Sequence, residues 1–389
     1  MKVLLVLLSF LLMSCKEATV TEDFHYVYLN WADANTSNTM QVNITTTKES
    51  DQWQIVYRLI GGDEVFKMSL APSKNDDLKG VFYLHFSLSQ LKAGSVYEFF
   101  IEGQNYQGPV YRFKTFAKDE EHLRFVVGGD TGAGEKFAIL SDLAKSTNFD
   151  FAVFGGDIAY ANGDIENYRD WMNWLEIWTR ASNHNGMLKP FIVAIGNHET
   201  NYNFFLSKRQ RAPFYFNLFE QDKRTYFRRE IAGNNFLILD TGHISSYSEQ
   251  KEFIQQNTFP SIEAFQFSFY HIPFFPGHRS FRGTASMGRN SWMNLLEEGG
   301  IDVSFEHHDH VLKRTFPLKN LEQNEEEGIV YLGDGAMGKS TRELNNEWYL
   351  EKAYSENHFW LVDMYRREAR FEAIGFEGEI LDQFEKKID

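Results

Sequence analysis

Five times along this chain an apolar, strand-length run stops at a side chain that can bind a metal. Leu123–Val127 ends in Gly-Gly-Asp130, Phe151–Phe154 in Gly-Gly-Asp157-Ile-Ala-Tyr160, and Phe191–Ile195 in Gly196-Asn197-His198-Glu199. Further on, Phe265–Phe269 runs into His271, and Val303–Phe305 into His307-His308-Asp309-His310. Where strands run parallel, the loops at their carboxyl ends share one edge of the sheet, and ligands bind there. Five such endings are most simply met by an α/β fold with one polynuclear metal site on that edge. Each signal is weak alone, because Gly-Asp after a strand is a common turn. Their order and their common position after strands carry the inference.

A chain of 389 residues can hold two or three domains, each burying its own core. The 36 phenylalanines favour strands over long surface helices. A formal net charge of -15 argues against an extended nucleic-acid surface, which needs clustered Lys and Arg. Phosphate esters are still allowed, because bound cations supply local positive charge whatever the total.

Cys15 is the single cysteine, so no disulfide framework is expected. Met1-Lys2 followed by apolar Val3–Met13 reads as a secretory leader, too short to span a bilayer. Leu12-Met13-Ser14-Cys15 resembles the lipobox of bacterial lipoproteins, in which the cysteine is acylated. The expectation is export and a lipid anchor to the bacterial cell envelope, through residues 1–15 as signal peptide and 16–23 as tether. A plain cleaved signal peptide is the alternative.

Residues 24–117 contain short strand-like runs at Val27–Leu29, Thr39–Thr45, Trp53–Leu59, Val81–Phe86, Tyr97–Glu102 and Val110–Thr115, with no helical pattern between them. That spacing predicts a β-sandwich. The stretch Leu88–Tyr97 resembles the tyrosine corner of fibronectin type III domains, with Ala93 where that family usually has Pro. His25 and His85 lack partners at ligand spacing and read as structural. In residues 118–389, helical periodicity over Phe137–Ser146 and Tyr168–Arg180 alternates with strands, as in an α/β layer structure. Trp171, Trp174 and Trp178 share one helical face and read as a helix packed on a sheet. A cationic run comes next: Lys208, Arg209, Arg211, Lys223, Arg224, Arg228 and Arg229. It reads as solvated surface, or as an anion-steering rim if it borders the site.

Two cations about 3.5–4 Å apart can clamp an in-line displacement at phosphorus. The loops offer Asp130, Asp157, Tyr160, Asn197, His271, His308 and His310 for such a pair. A tyrosine oxygen ligand needs a highly charged cation, because the phenol ordinarily titrates near pH 10. That favours Fe(III) at one position.

The segments GGDTG, GGDIAY, GNHE, YHIP and HDHVLKRT resemble, in order, the five motif blocks of purple acid phosphatases within the calcineurin-like metallophosphoesterases. The fibronectin-like first domain, GDGAMG and Asn357-His358-Phe359 resemble the plant-type architecture of that family. The resemblance implies an N-terminal sandwich followed by two packed mixed sheets flanked by helices. It implies Fe(III) on Asp130, Tyr160 and His310, a bridging Asp157, and a divalent Fe, Zn or Mn on Asn197, His271 and His308. It also implies a metal-bound hydroxide attacking phosphate monoesters in line, with His198 binding the phosphoryl group or protonating the leaving oxygen.

Departures are visible. His307, preceded by Glu306, stands where the family has Gly, and reads as a neighbour of the ligands or as exposed. For a distal general acid only His278 is available, at a shorter spacing; Arg279 and Arg282 are alternative stabilisers of phosphoryl charge. Glu199, Asp240, Asp334 and Arg314 read as orienting or structural groups. Besides the phosphomonoesterase, two readings stay open. One is a phosphodiesterase on nucleotides or lipid headgroups; the other is a surface binding lipoprotein with a vestigial catalytic layer.

Overall fold

The computed structural model describes residues 18–20, 22–74, 78–333 and 335–388, so the leader with Cys15, and Asp334, lie outside the described residues. Among them, no helix is long and apolar enough to cross a membrane.

The first part of the chain forms two antiparallel sheets. His25–Asn30, Met40–Thr46 and Phe82–Leu88 make one, with Ser73–Lys74 at its edge. Phe66–Leu70, Trp53–Leu59, Val96–Gly103 and Tyr111–Lys114 lie side by side across the other. Val42, Ile44, Leu84 and Phe86 of the first sheet share a buried cluster with Trp53, Ile55, Phe99 and Phe113 of the second. Period-two alternation therefore directs the apolar faces of both sheets into a common core. The strand Phe66–Leu70 was not foreseen; it lies at an edge, mostly exposed, and carries no buried stripe to announce it. The Tyr97 hydroxyl accepts from the Lys92 backbone N–H at 2.8 Å, closing the corner despite Ala93. Order begins earlier than a tether over 16–23 would allow. Ala18–Thr19 pairs in parallel with Leu78–Lys79, and Val20 is buried, so that reading is corrected for these three residues.

The two sheets are packed onto the larger part of the chain. A hairpin of Asn183–His184 and Met187–Leu188 extends the second sheet, pairing Met187 with Arg112. Tyr28 Oη and Asn30 Nδ2 donate to the carbonyls of Leu218 and Phe219 at 2.8 and 2.6 Å.

Two further sheets form that larger part. One runs Phe191–Val193, Phe151–Phe154, Leu123–Gly128, His358–Tyr365, Glu368–Gly375, Ile380–Lys387. Its first three strands are parallel and the others antiparallel. The other sheet runs Phe227–Ile231, Asn234–Ile238, Gln266–Phe269, Val303–Glu306, Val330–Gly333, Leu312–Thr315, Leu350–Tyr354, with four parallel strands at its centre. Phenylalanines fill the space between them: Phe125 lies 5.4 Å from Phe236 and 5.7 Å from Phe267, centroid to centroid. Each fully buried Phe contributes about 1.5–3 kcal/mol, so this layer dominates the stability of the larger part.

Helices cover both outer faces. Glu135–Ser146 and Tyr168–Ala181 lie over the first sheet, where Trp171, Trp174 and Trp178 are buried among Phe137, Phe154 and Phe191. The tryptophan face is core, as its spacing suggested. Thr284–Glu298 covers the second sheet through Trp292 and Leu296. Sequence periodicity missed this helix, in which Gly288 packs against the Phe274 ring and interrupts the apolar stripe.

Candidate metal centre

All five ligand-bearing loops reach one rim, where the carboxyl ends of the two parallel strand sets meet. Strands 123–128, 151–154 and 191–193 deliver Asp130, Asp157 and Asn197; strands 266–269 and 303–306 deliver His271, His308 and His310. Five of these seven candidates, counting Tyr160, have left-handed backbone: Asp130 (φ 49°), Asp157 (54°), Tyr160 (63°), His308 (78°) and His310 (59°). Such conformations are uncommon outside glycine, especially for a bulky residue such as Tyr, and they cluster where function requires them. Here each one turns a side chain sharply off the end of a strand.

The side chains fall into two linked groups. In the first, Tyr160 Oη donates to Asp130 Oδ1 at 2.9 Å and lies 3.1 Å from His310 Nε2, which is itself 2.9 Å from Asp130 Oδ1. In the second, His271 Nε2 lies 3.1 Å from Asp157 Oδ2, 3.2 Å from Asn197 Oδ1 and 3.1 Å from His308 Nδ1. Asp157, His271 and His308 offer ligand atoms all within 4.8 Å of one another. The His308 backbone N–H donates to Asp130 Oδ2 at 2.7 Å, which joins the groups.

The donor set fits a cation. His271 Nδ1 can only donate to the Gly155 carbonyl, 3.0 Å away, so the neutral ring turns a bare Nε2 lone pair toward three other acceptors. His310 repeats this, with Nδ1 on the Ser340 carbonyl at 3.1 Å and Nε2 facing Asp130 and Tyr160. A carbonyl fixing the far nitrogen is how metal-binding histidines are oriented. Without a cation a proton must stand in. Burial lowers the His271 imidazolium, but Asp157 and Asp130 outweigh it and hold the pKa at about 9. Burial alone would raise Asp157; the charge and hydrogen bond of His271, with His198, keep it below the usual carboxylate range. Burial, reinforced by Asp130, raises the Tyr160 phenol, so only a strong cation would make it a ligand. His308 is held neutral by burial and by the neighbouring His271 and Arg279.

Supporting groups fix the loops. The Glu199 carboxylate is buried and accepts from the backbone N–H groups of Asp157, Ile158 and Gly196 at 2.7, 2.9 and 2.7 Å, tying the second loop to the third. Burial, then Asp157, raises its pKa to about 7. The His198 backbone N–H donates to Asp157 Oδ1 at 2.7 Å. Its ring stacks on Tyr160 at 4.2 Å and is half-buried, with Nδ1 bonded to Asn162 Oδ1 and Nε2 bare, 3.9 Å from Asp157. Asp240 accepts from the N–H groups of His243, Ile244 and Ser245, and Arg314 binds Asp382 and Glu351; both are structural.

Two sequence readings are settled by packing. His307 is not exposed but a neighbour of the ligands: its ring is buried against Gly129, next to Asp130, and Gly155, whose carbonyl holds His271, with neither ring nitrogen hydrogen-bonded among the described residues. Its ring occupies the space that a side chain at Gly155 or Gly129 would take. Glu306, before it, is buried against Lys313. The His278 side chain makes no hydrogen bond to a ligand side chain among the described residues; it is half-buried, its Nδ1 on the Glu343 carbonyl at 2.7 Å. Arg279 is held by Asp309 at 2.6 Å and by the His308 carbonyl. Two residues went unnoticed in the sequence. Asn162 orients His198, and Lys339 places its ammonium 4.0 Å from the Tyr160 ring centroid. Asn162 lies close enough behind Tyr160 to have been suspected; nothing local marked Lys339.

The Gly155–His307 contact is testable. A methyl at 155 must overlap the imidazole, and over-packing of a tight interior typically costs about 1–3 kcal/mol. Gly155→Ala is expected to lower the thermal midpoint, and adding His307→Ala to restore much of it; equal midpoints for both variants would contradict the packing account.

The comparisons agree with this geometry. The family model for calcineurin-like phosphoesterases matches residues 123–312, a span containing every ligand candidate. The chain is similar to purple acid phosphatase 21 of Arabidopsis thaliana, 25% identical over 265 residues, which is 64% of this chain and 57% of that protein. The match thus spans little more than half of the relative. Among solved structures, the purple acid phosphatase PPD1 from yellow lupin (Lupinus luteus) seeds superposes with a TM-score of 0.77, at 15% identity, over 94% of this chain and 74% of that one. The structure of PhoD gives 0.73, at 10% identity, over 94% and 90%. At such identities the likeness is one of fold, and it extends beyond residues 123–312 to nearly the whole described chain.

Proposed function

We propose that this protein hydrolyses phosphate monoesters at a dinuclear centre of purple acid phosphatase type. The observation that carries the reading is the convergence of bare imidazole nitrogens on carboxylate, amide and phenol oxygens, in two groups sharing one rim. Asp130, Tyr160 and His310 would hold Fe(III), and Asn197, His271 and His308 a divalent Fe, Zn or Mn, with Asp157 between them. A bound cation pair supplies charge to the phosphoryl oxygens and an acidified water. The chain's own groups then position the ester. His198, half-buried at the mouth, would bind a phosphoryl oxygen or protonate a leaving oxygen through Nε2 once that nitrogen has itself taken up a proton. Lys339 adds an ammonium over the Tyr160 ring.

The tyrosine corner supports a fibronectin type III-like character for the first part. The leader and Cys15 support an exported protein, lipid-anchored to the cell envelope.

One preparation of the full-length protein, expressed with its leader, tests these readings. Metal analysis is expected to give two metals per chain with iron present, together with a visible band that Tyr160→Phe abolishes. Aryl monoester hydrolysis should exceed that of the matching diester, and the mass of the mature N terminus should carry acyl chains. Absence of iron and of the band would defeat the Fe(III) assignment. Faster diester turnover would replace the monoesterase with a diesterase, and an unmodified N terminus would remove the anchor.

A further inference from the structure

The cationic run after Glu199 does not remain a single solvated face. Three of its seven members are used structurally. Arg211 donates to the His243 carbonyl at 2.6 Å, Arg228 pairs with Glu230 at 3.1 Å, and buried Arg229 binds Asp222 at 3.0 Å and the Trp31 carbonyl at 2.6 Å. The other four, Lys208, Arg209, Lys223 and Arg224, come from two separate segments and line one cavity of about 260 Å³.

Only one carboxylate, Glu249, lines that cavity, and it is taken by Lys208 at 2.9 Å. Arg209, Lys223 and Arg224 have no acidic partner among the described residues. Glu220 lines adjacent depressions with Arg209 and Lys223 but pairs with neither among the described residues, and in a chain of net charge -15 three cations without an ion pair at one cavity are unexpected, since like charges repel. The guanidinium groups are also pre-oriented. Arg224 lies 5.1 Å from the Tyr226 ring centroid and 4.9 Å from that of Phe253, and Arg209 lies 5.6 Å from that of Phe216. Stacking on rings limits their freedom while leaving their N–H forks available, which suits recognition of a tetrahedral oxyanion. At about 30 Å³ per water, the cavity has room for roughly nine waters, or for a phosphate group with part of what it is attached to.

We propose that this cavity is a second oxyanion site, separate from the metal centre, that takes a phosphate group, whether free or carried on an anionic lipid headgroup. It needs none of the metal ligands, and its loss leaves catalysis in place. Because its cations are exposed, affinity falls with added salt.

The test titrates the metal-loaded protein with inorganic phosphate by calorimetry. Wild type is expected to show two binding events. Lys223→Ala with Arg224→Ala should weaken one of them at least tenfold and keep monoester hydrolysis within twofold of wild type. His271→Ala should remove the other event instead. A single event in wild type, or two events unchanged in the Lys223/Arg224 variant, overturns the proposal. If the protein proves to hydrolyse no ester yet retains an event sensitive to Lys223 and Arg224, the oxyanion site stands while the catalytic reading falls. Vesicles of phosphatidylcholine with phosphatidylglycerol distinguish the sources. Retention of wild type but not of the Lys223/Arg224 variant assigns the site to a headgroup; phosphate binding without selective retention assigns it to free phosphate.

Discussion

His271→Ala is expected to reduce kcat/KM for a phosphate monoester by about a thousandfold or more, which is about 4 kcal/mol of transition-state stabilisation. The side chain is fully buried, its Nδ1 is fixed by the Gly155 carbonyl, and its Nε2 lies within 3.2 Å of Asp157, Asn197 and His308. Alanine removes one of few ligands and opens a void where the remaining three must hold a cation by themselves. Loss of an outer residue that merely orients a ligand already weakens metal binding about 10–100-fold, so loss of the ligand itself should exceed that. The two groups make the result specific. Metal content should fall from two per chain toward one, while the visible band arising from Tyr160 persists, because Asp130, Tyr160 and His310 are untouched. Activity within tenfold of wild type, or loss of the band with both metals retained, would contradict the division into two groups.

The family resemblance implies that division, whereas the residues by themselves offer only the endings that contribute to it. The endings at Asp130, Asp157, Asn197, His271 and His308/His310 could be found because each combines an apolar run with a turn and a metal-binding residue type. What the sequence did not reveal is backbone conformation. Positive φ at Asp130, Asp157, Tyr160, His308 and His310 arises from how the loops are tied to one another, through contacts such as Glu199 to three backbone N–H groups. Packing decides between the two readings of His307 for the same reason. The sequence leaves a ring beside the ligands or an exposed one, and two glycines distant in sequence, Gly129 and Gly155, provide the buried space that the ring fills. His278 was chosen by order along the chain alone, and its nitrogen is occupied by a carbonyl from residue 343. In the first part, strands with a buried stripe were found and the exposed edge strand Phe66–Leu70 was not. Local pattern identifies elements that face a core; it is silent about edges and about side chains held by distant partners.

A second large effect is expected away from the metals. Lys313→Met should destabilise the fold by about 3–5 kcal/mol, a third or more of the stability of an ordinary domain. Lys313 and Glu306 are both fully buried on the two strands that flank Val330–Gly333 in the second sheet, and they form an ion pair. Glu306 also accepts from Tyr270 Oη at 2.8 Å and from the Phe274 N–H at 2.7 Å, while Lys313 Nζ donates to the Phe275 carbonyl. Methionine fills nearly the same volume, so the loss is not one of packing. It arises because the carboxylate stays in a dry interior after its counter-charge has gone. Neutralising both partners should therefore do less harm than neutralising one. In Lys313→Met with Glu306→Gln, the amide oxygen can still accept from Phe274 and no bare charge remains, so at least half of the lost stability should return. Denaturant midpoints for the four members of this double-mutant cycle measure the coupling directly. Additive losses would mean that the pair is not an interacting unit and that the cost of Lys313→Met lies in the carbonyl it leaves unpaired.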